Sequence, residues 1–189
     1  MMPLMSEQPT IQTARLVLRP FTVDDAPEVQ RLAGDRAVAE TTLLIPHPYP
    51  DGAAEQWIGT HEAAFEKGEG VVFAITGRTD GALLGAISLD IRAAHHRAEM
   101  GYWIGRPYWN RGYATEAAAA MLDYAFNRLE LNRIHAEHIS QNLASGRVMD
   151  KIGMKREGVF RRHMFRWGRF VDAVLYGILR SEYDNPPRT

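Results

Sequence analysis

A strand that runs through a short glycine-bearing loop into a helix constrains this chain more than any other feature. Residues 99–105 are predicted to form a strand, the loop that follows contains Gly112, and a helix begins near Thr115. Glycine lets the backbone approach an anion closely, small Ala114 keeps the next turn clear, and the first amides of a helix carry partial positive charge. A diphosphate cradle requires this order of strand, loop and helix, so the segment predicts an anion-binding loop.

A second strand followed by a loop and a helix lies downstream. The apolar strand at residues 134–139 leads to Asn142, Ser145 and a further helix. Together the two segments resemble the coenzyme A binding motifs of the GNAT acetyltransferase superfamily, in the subgroup of RimJ/RimL-like ribosomal-protein N-terminal acetyltransferases. Residues 13–25 and 168–179 resemble the opening strand and helix and the closing strand of that subgroup, so the resemblance covers nearly the whole chain.

The composition suits a single domain of enzyme size. A chain of 189 residues with 46% apolar and 24% charged residues can bury an ordinary core without cross-links. We therefore expect one domain over residues 1–189, with loosely ordered tails at residues 1–10 and 184–189. The absence of cysteine excludes disulfides, thiolate metal ligands and a cysteine nucleophile.

The charge and the N-terminal sequence limit the partners and the location. A formal net charge of −1 gives no overall field that attracts nucleic acid or a membrane. The residues before Ile11 have neither the basic nor the apolar region of a secretory signal, and Asp123 interrupts the alanine-rich run after Glu116. We therefore predict a cytoplasmic protein that contacts no membrane and no DNA.

Apolar periodicity and turn residues predict an alternation of strands and helices. Strands are predicted at residues 16–18, 71–76, 82–90, 97–104, 134–139, 155–164 and 170–179. Helices are predicted at residues 24–33, from a cap at Asp51 through Phe65, from near Thr115 through Arg128, and at residues 145–151. This order gives an α/β (α+β) class, and the resemblance implies the GNAT fold, a single mixed, mostly antiparallel central sheet of about seven strands flanked by about four helices.

A proline-rich loop at residues 41–50 separates the first two predicted helices. Three prolines, at positions 46, 48 and 50, forbid a regular helix there. The resemblance implies that this segment lines the acceptor pocket, whereas a rigid connector explains the same composition. Both interpretations stay open at the level of sequence.

The resemblance implies acetyl-CoA as the cofactor and places its diphosphate at the glycine-bearing loop. The amides of residues 110–115 are predicted to cradle the diphosphate, and Arg111 to add a cation near the phosphates, with a solvated loop charge as the alternative. Trp109 stands where the family usually has glutamine or arginine, which removes one polar side chain but leaves the backbone donors. The residues expected to contact the coenzyme are Tyr102, Trp103, Ile104, Asn110, Arg111, Gly112, Tyr113, Ala114, Thr115, Asn142 and Ser145.

Attack of an amine on a thioester requires a group that removes the proton of the ammonium ion. Reference pKa values lie from about 8 for an α-amine to about 10.4 for lysine, so most acceptor amines are protonated at neutral pH. Glu99 is the predicted base, because its strand neighbours Met100, Tyr102 and Trp103 would partly desolvate the carboxyl and raise its pKa. A surface salt bridge to Arg97 explains the residue about equally well from the strand context, and the family resemblance favours the base.

A second group must protonate the departing thiolate. Many members of the superfamily carry tyrosine on the helix after the asparagine motif, but that position here is Met149, which cannot donate a proton. The resemblance makes Ser145 the substitute, with Asn142 and Ser145 contacting the pantetheine and sulfur region. An alternative is that both residues only cap the helix, since asparagine and serine are favoured at N-caps.

Neither the histidines nor the basic aromatic segment near the C-terminus requires another chemistry. His135 and His138 are three apart on a strand and project to opposite faces, so they lack the spacing of metal ligands. Residues 161–169 mix arginines with aromatic residues, as single-strand nucleic-acid platforms do. A hairpin that turns at Trp167 and Gly168 with its basic residues in solvent explains this composition with fewer assumptions, so we favour it over RNA contact and predict no metal site.

Together these residues predict an acetyl-CoA-dependent N-acetyltransferase, in which an amine attacks the thioester directly in a ternary complex without an acyl-enzyme. Through the resemblance the favoured acceptor is a protein N-terminal α-amine, and a small-molecule amine such as an antibiotic or a polyamine is the alternative. A catalytically silent acyl-CoA-binding module is a further alternative, which the presence of Glu99 argues against. The resemblance also allows a homodimer.

Overall fold

Eight strands form one sheet in the computed structural model, which describes residues 7–185. The strands are β1 (Ile11–Gln12), β2 (Leu16–Arg19), β3 (Gly70–Gly77), β4 (Leu83–Arg92), β5 (Arg97–Ile104), β6 (Arg133–Ile139), β7 (Lys155–Arg166) and β8 (Arg169–Leu179). Their order across the sheet is β1-β2-β3-β4-β5-β6-β8-β7, and only β5 and β6 pair in parallel. The predicted single mixed, mostly antiparallel sheet is confirmed, and the additional strand is the short β1.

The described part of the chain contains seven α-helices, more than the number predicted. They are α1 (Ala26–Ala33), α2 (Arg36–Thr41), α3 (Ala53–Ile58), α4 (His61–Glu66), α5 (Tyr113–Asn127), α6 (Leu143–Lys151) and α7 (Arg180–Asp184). The sequence pattern predicts neither α2 nor α7, because a helix of one or two turns is too short to show an apolar period.

The predicted helix from Asp51 through Phe65 is wrong in its start and in its continuity. Its first part, α3, begins after Gly52, whose φ of 76° is easily adopted only by glycine. A break at Gly59 and Thr60 then separates α3 from α4. Helix α5 likewise begins earlier than predicted, at Tyr113, because Gly112 is its N-cap.

Both ends of the chain are tied down where the structure describes them. Gln8 donates its side-chain amide to the Val72 carbonyl oxygen at 2.8 Å, and Asp184 is the last residue of α7. Most of the predicted loose tails, namely residues 1–6 and 186–189, lies outside the described residues, so looseness of the tails stays a prediction. Between residues 7 and 185, no helix is both long and apolar enough to cross a bilayer.

Helix α5 packs its apolar stripe against one face of the sheet. Its stripe residues Met121, Leu122 and Ala125 are at most 1% exposed, and the Phe73 and Tyr124 rings meet edge to face at 5.7 Å. Burying a large apolar side chain contributes about 1.5–3 kcal/mol, so this packing fixes α5 firmly against the central strands. A smaller cluster from α1 and α3 covers part of the other face.

The sheet opens between its two parallel strands. β5 and β6 are paired only from Arg97 opposite Arg133 to Glu99 opposite His135. Beyond that point β5 continues through Ile104 and β6 through the end of its strand without pairing to each other. The strands therefore leave a cleft in the middle of the sheet, bordered by backbone groups that the sheet does not use.

Candidate active site

The loop between β5 and α5 turns its backbone amides towards the surface. After a 3₁₀ turn at Arg106–Tyr108, Asn110 has a φ of 62° and Gly112 a φ of 80°. Gly112 is the N-cap of α5, so the first amides of this helix have no partner inside it. A side chain at Gly112 would strain the backbone and would approach Arg15 Nη2 to 3.3 Å. The shape and the partial positive charge of the loop fit an anion such as a diphosphate.

One local anchor and one long-range anchor hold this loop in place. The Trp109 indole N–H donates to the Ile104 carbonyl oxygen at 2.6 Å, so the residue that departs from the family pattern fastens the loop to the end of β5. Arg15 donates to the Arg111 carbonyl oxygen at 2.9 Å and forms an ion pair with Glu116, in the first turn of α5, at 2.7 Å. Sequence reasoning missed Arg15, because its partner lies 96 positions away and no local pattern indicates the contact.

The side chains predicted to contact the coenzyme differ in their accessibility. Arg111 is exposed, with its guanidinium 6.0 Å from the centre of the Tyr108 ring, where a ligand phosphate can reach it. Ile104 is buried and Trp103 packs against the cluster of α1 and α3, which leaves mainly their backbone groups for a ligand. Residues 113–115 are half-buried at the start of α5.

Tyr102 and Ser145 meet across the cleft. The Tyr102 hydroxyl lies 2.8 Å from Ser145 Oγ and 3.2 Å from the Ser145 carbonyl oxygen. Burial raises the pKa of Tyr102 to about 12, so its hydroxyl keeps its proton at neutral pH. Met149 is buried in the core and supplies no donor. The sequence predicts a coenzyme contact for Tyr102 but not its bond to Ser145, since the two are 43 positions apart.

Asn142 caps helix α6 and also reaches the proline-rich loop. Its Oδ1 accepts from the Ser145 backbone amide at 3.2 Å, so the capping alternative is correct for this side-chain oxygen. Its Nδ2 donates to the Thr41 carbonyl oxygen at 3.0 Å. The Ser145 side chain takes no part in the cap and instead faces Tyr102.

A half-buried arginine fixes the same loop from the opposite side. Arg166 of β7 donates to the carbonyl oxygens of Leu43 at 2.6 Å and Ile45 at 3.3 Å, and also to that of Ala39. Its guanidinium lies 4.9 Å from the centre of the Trp167 ring. The segment that the resemblance assigns to the acceptor pocket is thus held between α6 and the β7–β8 hairpin, next to Ser145.

Glu99 lies at the last residue of β5 that pairs with β6. Its Oε2 is 3.7 Å from His135 Nε2, and the His135 ring lowers the pKa of the Glu99 carboxyl more than burial raises it. The predicted rise of this pKa is therefore wrong, because a histidine on the neighbouring strand outweighs the desolvation. The nearest ionisable partner is His135 rather than Arg97.

A second carboxylate, Glu137, lies two residues beyond His135 on β6. Strand alternation places it on the same face of the sheet as His135 and Glu99. Burial, and then the negative charge of Glu99, raise the pKa of the Glu137 carboxyl. Glu137 therefore has the environment that the sequence predicts for Glu99. Sequence reasoning missed Glu137 because it treated residues 134–139 as an apolar strand. The alternation of side chains along a strand nevertheless places Glu137 on the same face as His135.

The two groups of polar side chains lie on opposite faces of the sheet at the cleft. Glu99 and Tyr102 are three residues apart on β5, so their side chains point to opposite sides. Tyr102 and Ser145 lie on the side of α5 and α6, and the carboxylates lie on the other side. A ligand entering from the α5 side would meet a second ligand entering from the carboxylate side. In the region from residue 7 to residue 185, no three histidine or acidic side chains are grouped as a metal site.

Known proteins are similar to this chain in sequence and in architecture. A family described as acetyltransferase (GNAT) domain matches residues 15–155. YoaA of Bacillus subtilis, named as an uncharacterized N-acetyltransferase, is 32% identical over 173 residues, which cover 91% of this chain and 97% of YoaA. An Escherichia coli relative, named as the N-acetyltransferase of alanine in ribosomal protein uS5, is 23% identical over 139 residues, which cover 72% of this chain and 71% of that protein.

A solved structure with bound coenzyme shows the same fold. RimJ of Mycobacterium smegmatis, in complex with a CoA disulfide, superposes with a TM-score of 0.80 at 25% identity. The match covers 92% of this chain and 85% of RimJ.

Proposed function

This chain belongs to the GNAT acetyltransferase family and is an N-acetyltransferase that uses acetyl-CoA, and we propose that its acceptor is the N-terminal α-amine of a protein. The observation that carries the proposal is the cleft between β5 and β6, with an anion-binding loop on one side and two carboxylates on the other. Strand β8 follows β6 on that side of the cleft, and the outer strand β7 beyond it is mostly exposed. An open surface of this kind suits a polypeptide better than a small amine, which usually binds in an enclosed pocket.

The residues present fit the coenzyme. Acetyl-CoA supplies an acetyl thioester to the reaction. The amides of residues 110–115 and the Arg111 guanidinium would hold its diphosphate, and the backbone of β5 from Tyr102 to Ile104 would pair with its pantetheine arm inside the cleft. Holding both reactants in this way removes much of the entropic barrier of a bimolecular step.

Glu99 and Glu137 would take the proton of the acceptor ammonium ion, directly or through water. Both carboxylates attract the ammonium group into the cleft, and His135 moves the pKa of Glu99 still further below neutral pH. Glu137, whose pKa is raised, is the stronger proton acceptor of the two. The amine then attacks the thioester carbon without an acyl-enzyme.

On the other side of the cleft, Ser145 would donate a proton to the leaving sulfur. Its hydroxyl is 2.8 Å from that of Tyr102, which remains protonated and so orients or replenishes the Ser145 proton. This pair takes the place of the tyrosine that other family members carry at the position of Met149.

Removing either hydroxyl is expected to reduce turnover more than coenzyme affinity. Ser145→Ala and Tyr102→Phe should each lower kcat by about tenfold or more, because a positioned proton donor is lost while the diphosphate contacts remain. The double variant should lose little beyond the single ones, since the two hydroxyls act in series. Steady-state kinetics and calorimetric titration with coenzyme A measure the two quantities.

The matched control is Tyr183→Phe, which removes a surface hydroxyl bonded to Asp123 at 3.2 Å. It should leave kcat unchanged. If Ser145→Ala changes only the dissociation constant of coenzyme A, the proton comes from elsewhere and Ser145 is a binding residue.

A panel of amines tests the acceptor. Release of free thiol from acetyl-CoA should be fastest with peptides that have a free N-terminus, slow with spermidine, and absent with the same peptides after N-terminal blocking. Rapid reaction with polyamines and none with peptides would favour the small-molecule alternative. Tight binding of coenzyme A without thiol release from any amine would favour a silent acyl-CoA-binding module.

A further inference from the structure

The β7–β8 hairpin concentrates positive charge and exposed aromatic rings beside the acceptor side of the cleft. From Val159 to Val171 the sequence holds four arginines and one histidine but no carboxylate, in a chain whose formal net charge is −1. We call this segment, residues 159–171, the basic hairpin. The rings of Phe160, Phe165 and Phe170 are 48%, 66% and 55% exposed. So many exposed rings next to cations on one hairpin indicate a contact surface.

Three of the four arginines are available to a partner. Arg166 points inward and holds the proline-rich loop, whereas Arg161, Arg162 and Arg169 are exposed. Across the part of the chain that the structure describes, none of these three has a carboxylate oxygen within 4 Å. Their charges are therefore not neutralised by the protein itself.

A bulge in β7 shapes a groove that is lined by several of these side chains. The pairing of β7 with β8 is interrupted between Phe160 and Met164, and Arg162 has a φ of 52°. The Arg162 amide donates to Asp172 Oδ1 at 2.7 Å, so the one nearby carboxylate is used to hold the bulge. The result is an open groove of about 800 Å³, lined by Val159, Phe160, Arg161, Arg162, His163 and Asp172.

The groove lies within reach of the reacting groups. Phe160 is opposite Ala173 of β8, which is opposite Ile139 of β6, so the groove is two strands away from the strand that carries Glu137. Two strand spacings amount to about 10 Å, which an extended peptide spans with about three residues. His163, in the groove lining, is near enough to Glu137 to oppose the rise of its pKa. A peptide bound with its N-terminus at the carboxylates of the cleft would thus meet the arginines of the groove about three residues further along.

We propose that the acceptor is a polypeptide with acidic residues shortly after its N-terminus, and that Arg161 and Arg162 bind those carboxylates in the groove. The proposal rests on the proposed function, because it requires a protein N-terminus at the cleft. Glu99 and Glu137 attract the ammonium group, and the guanidinium groups, which suit bidentate pairing with carboxylates, attract the acidic side chains that follow. A polyamine is positive along its whole length, so the guanidinium groups of the groove do not attract it.

Charge at an exposed rim affects association and KM more than kcat. We therefore expect acidic peptides to be preferred mainly through a lower KM, and the preference to shrink as salt screens the charges. Two peptides that differ only in having aspartate and glutamate, or asparagine and glutamine, at their third and fourth positions make this comparison without changing size.

The test compares wild type, the double variant Arg161→Gln with Arg162→Gln, and Arg128→Gln. Arg128 is an exposed arginine at the end of α5, away from the hairpin, and serves as the matched control. Wild type and Arg128→Gln should prefer the acidic peptide by about tenfold in kcat/KM. The double variant should lose that preference and keep its kcat for the neutral peptide. Equal kcat/KM for both peptides in the wild type overturns the proposal, as does an equal loss in Arg128→Gln.

Other occupants of the groove give different results. Binding of single-stranded RNA that depends on Arg161 and Arg162, without any preference between the peptides, replaces the proposal with an RNA surface. A dimer that sediments as such in the wild type and dissociates in the double variant replaces it with a self-association surface. If peptides of both kinds are inert while a polyamine is acetylated, the proposed function itself fails, which separates that outcome from a failure of the groove alone.

Discussion

Replacing both Glu99 and Glu137 with glutamine is expected to lower kcat/KM for a peptide acceptor by about 10²–10⁴-fold at neutral pH. Glutamine keeps the size of the side chains but cannot accept a proton from the ammonium ion. Both residues lie on one face of the sheet where β5 and β6 part, and the proposed function puts the attacking amine next to them. Coenzyme affinity should change little, because the diphosphate loop lies on the other side of the cleft.

The pH dependence separates the two carboxylates. Removing Glu137, whose pKa is raised, leaves Glu99, whose pKa is lowered, so the acidic limb of the kcat/KM profile should move to lower pH. Removing Glu99 takes away a charge that raises the pKa of Glu137, so that limb should also move down, but by less. Raising the pH should partly restore the double variant, as more of the amine becomes neutral without help.

A double variant with near-normal turnover and an unaltered pH profile would mean that the carboxylates are structural. Circular dichroism and thermal unfolding of each variant show whether the fold persists. If Glu137→Gln alone lowers kcat/KM as much as the double variant does and Glu99→Gln has no effect, Glu99 only orients the ammonium group and is not the base.

Gly112→Val should weaken coenzyme A binding by roughly 10- to 100-fold. Valine at a φ of 80° costs about 1–3 kcal/mol, and the loop relieves this strain by turning its amides away from the diphosphate. Isothermal titration calorimetry with coenzyme A measures the change. Acceptor binding should be less affected, since the carboxylates lie outside the loop.

Gly81→Val provides a matched control for this substitution. Gly81 also has a positive φ, of 68°, and lies in the turn between β3 and β4 with no atom near the position of an added Cβ. It should lose similar stability and keep normal coenzyme affinity. Equal coenzyme affinity in folded Gly112→Val and wild type would show that the loop does not cradle the diphosphate.

Local patterns predict the elements that surround the candidate site. The strand β5 occupies residues 97–104 as predicted, because its alternation and its bounding turns are complete within the segment. The loop at Gly112 and the hairpin turn at Trp167 and Gly168 are also encoded by neighbouring residues. The apolar residues of α5 recur at regular helical spacing, and they form the stripe that is buried against the sheet.

Local sequence patterns do not predict the contacts between segments that are distant in the sequence. The pKa of Glu99 depends on His135, which becomes its neighbour only when β5 and β6 pair in parallel. The anchoring of the loop by Arg15 and the bond between Tyr102 and Ser145 likewise depend on sheet order. Burial alone predicts a raised pKa for the Glu99 carboxyl, and the interaction with His135, which the strand pattern does not reveal, lowers it instead.

One measurement tests the central claim most directly. A peptide with a free N-terminus, acidic residues at its third and fourth positions and an internal lysine is incubated with the enzyme and acetyl-CoA, and fragmentation mass spectrometry locates the added acetyl group. The account predicts acetylation at the N-terminal amine, with the lysine unmodified, and little product from the variant lacking both Glu99 and Glu137. Acetylation of the lysine alone, or no peptide product while a polyamine is acetylated, would contradict it.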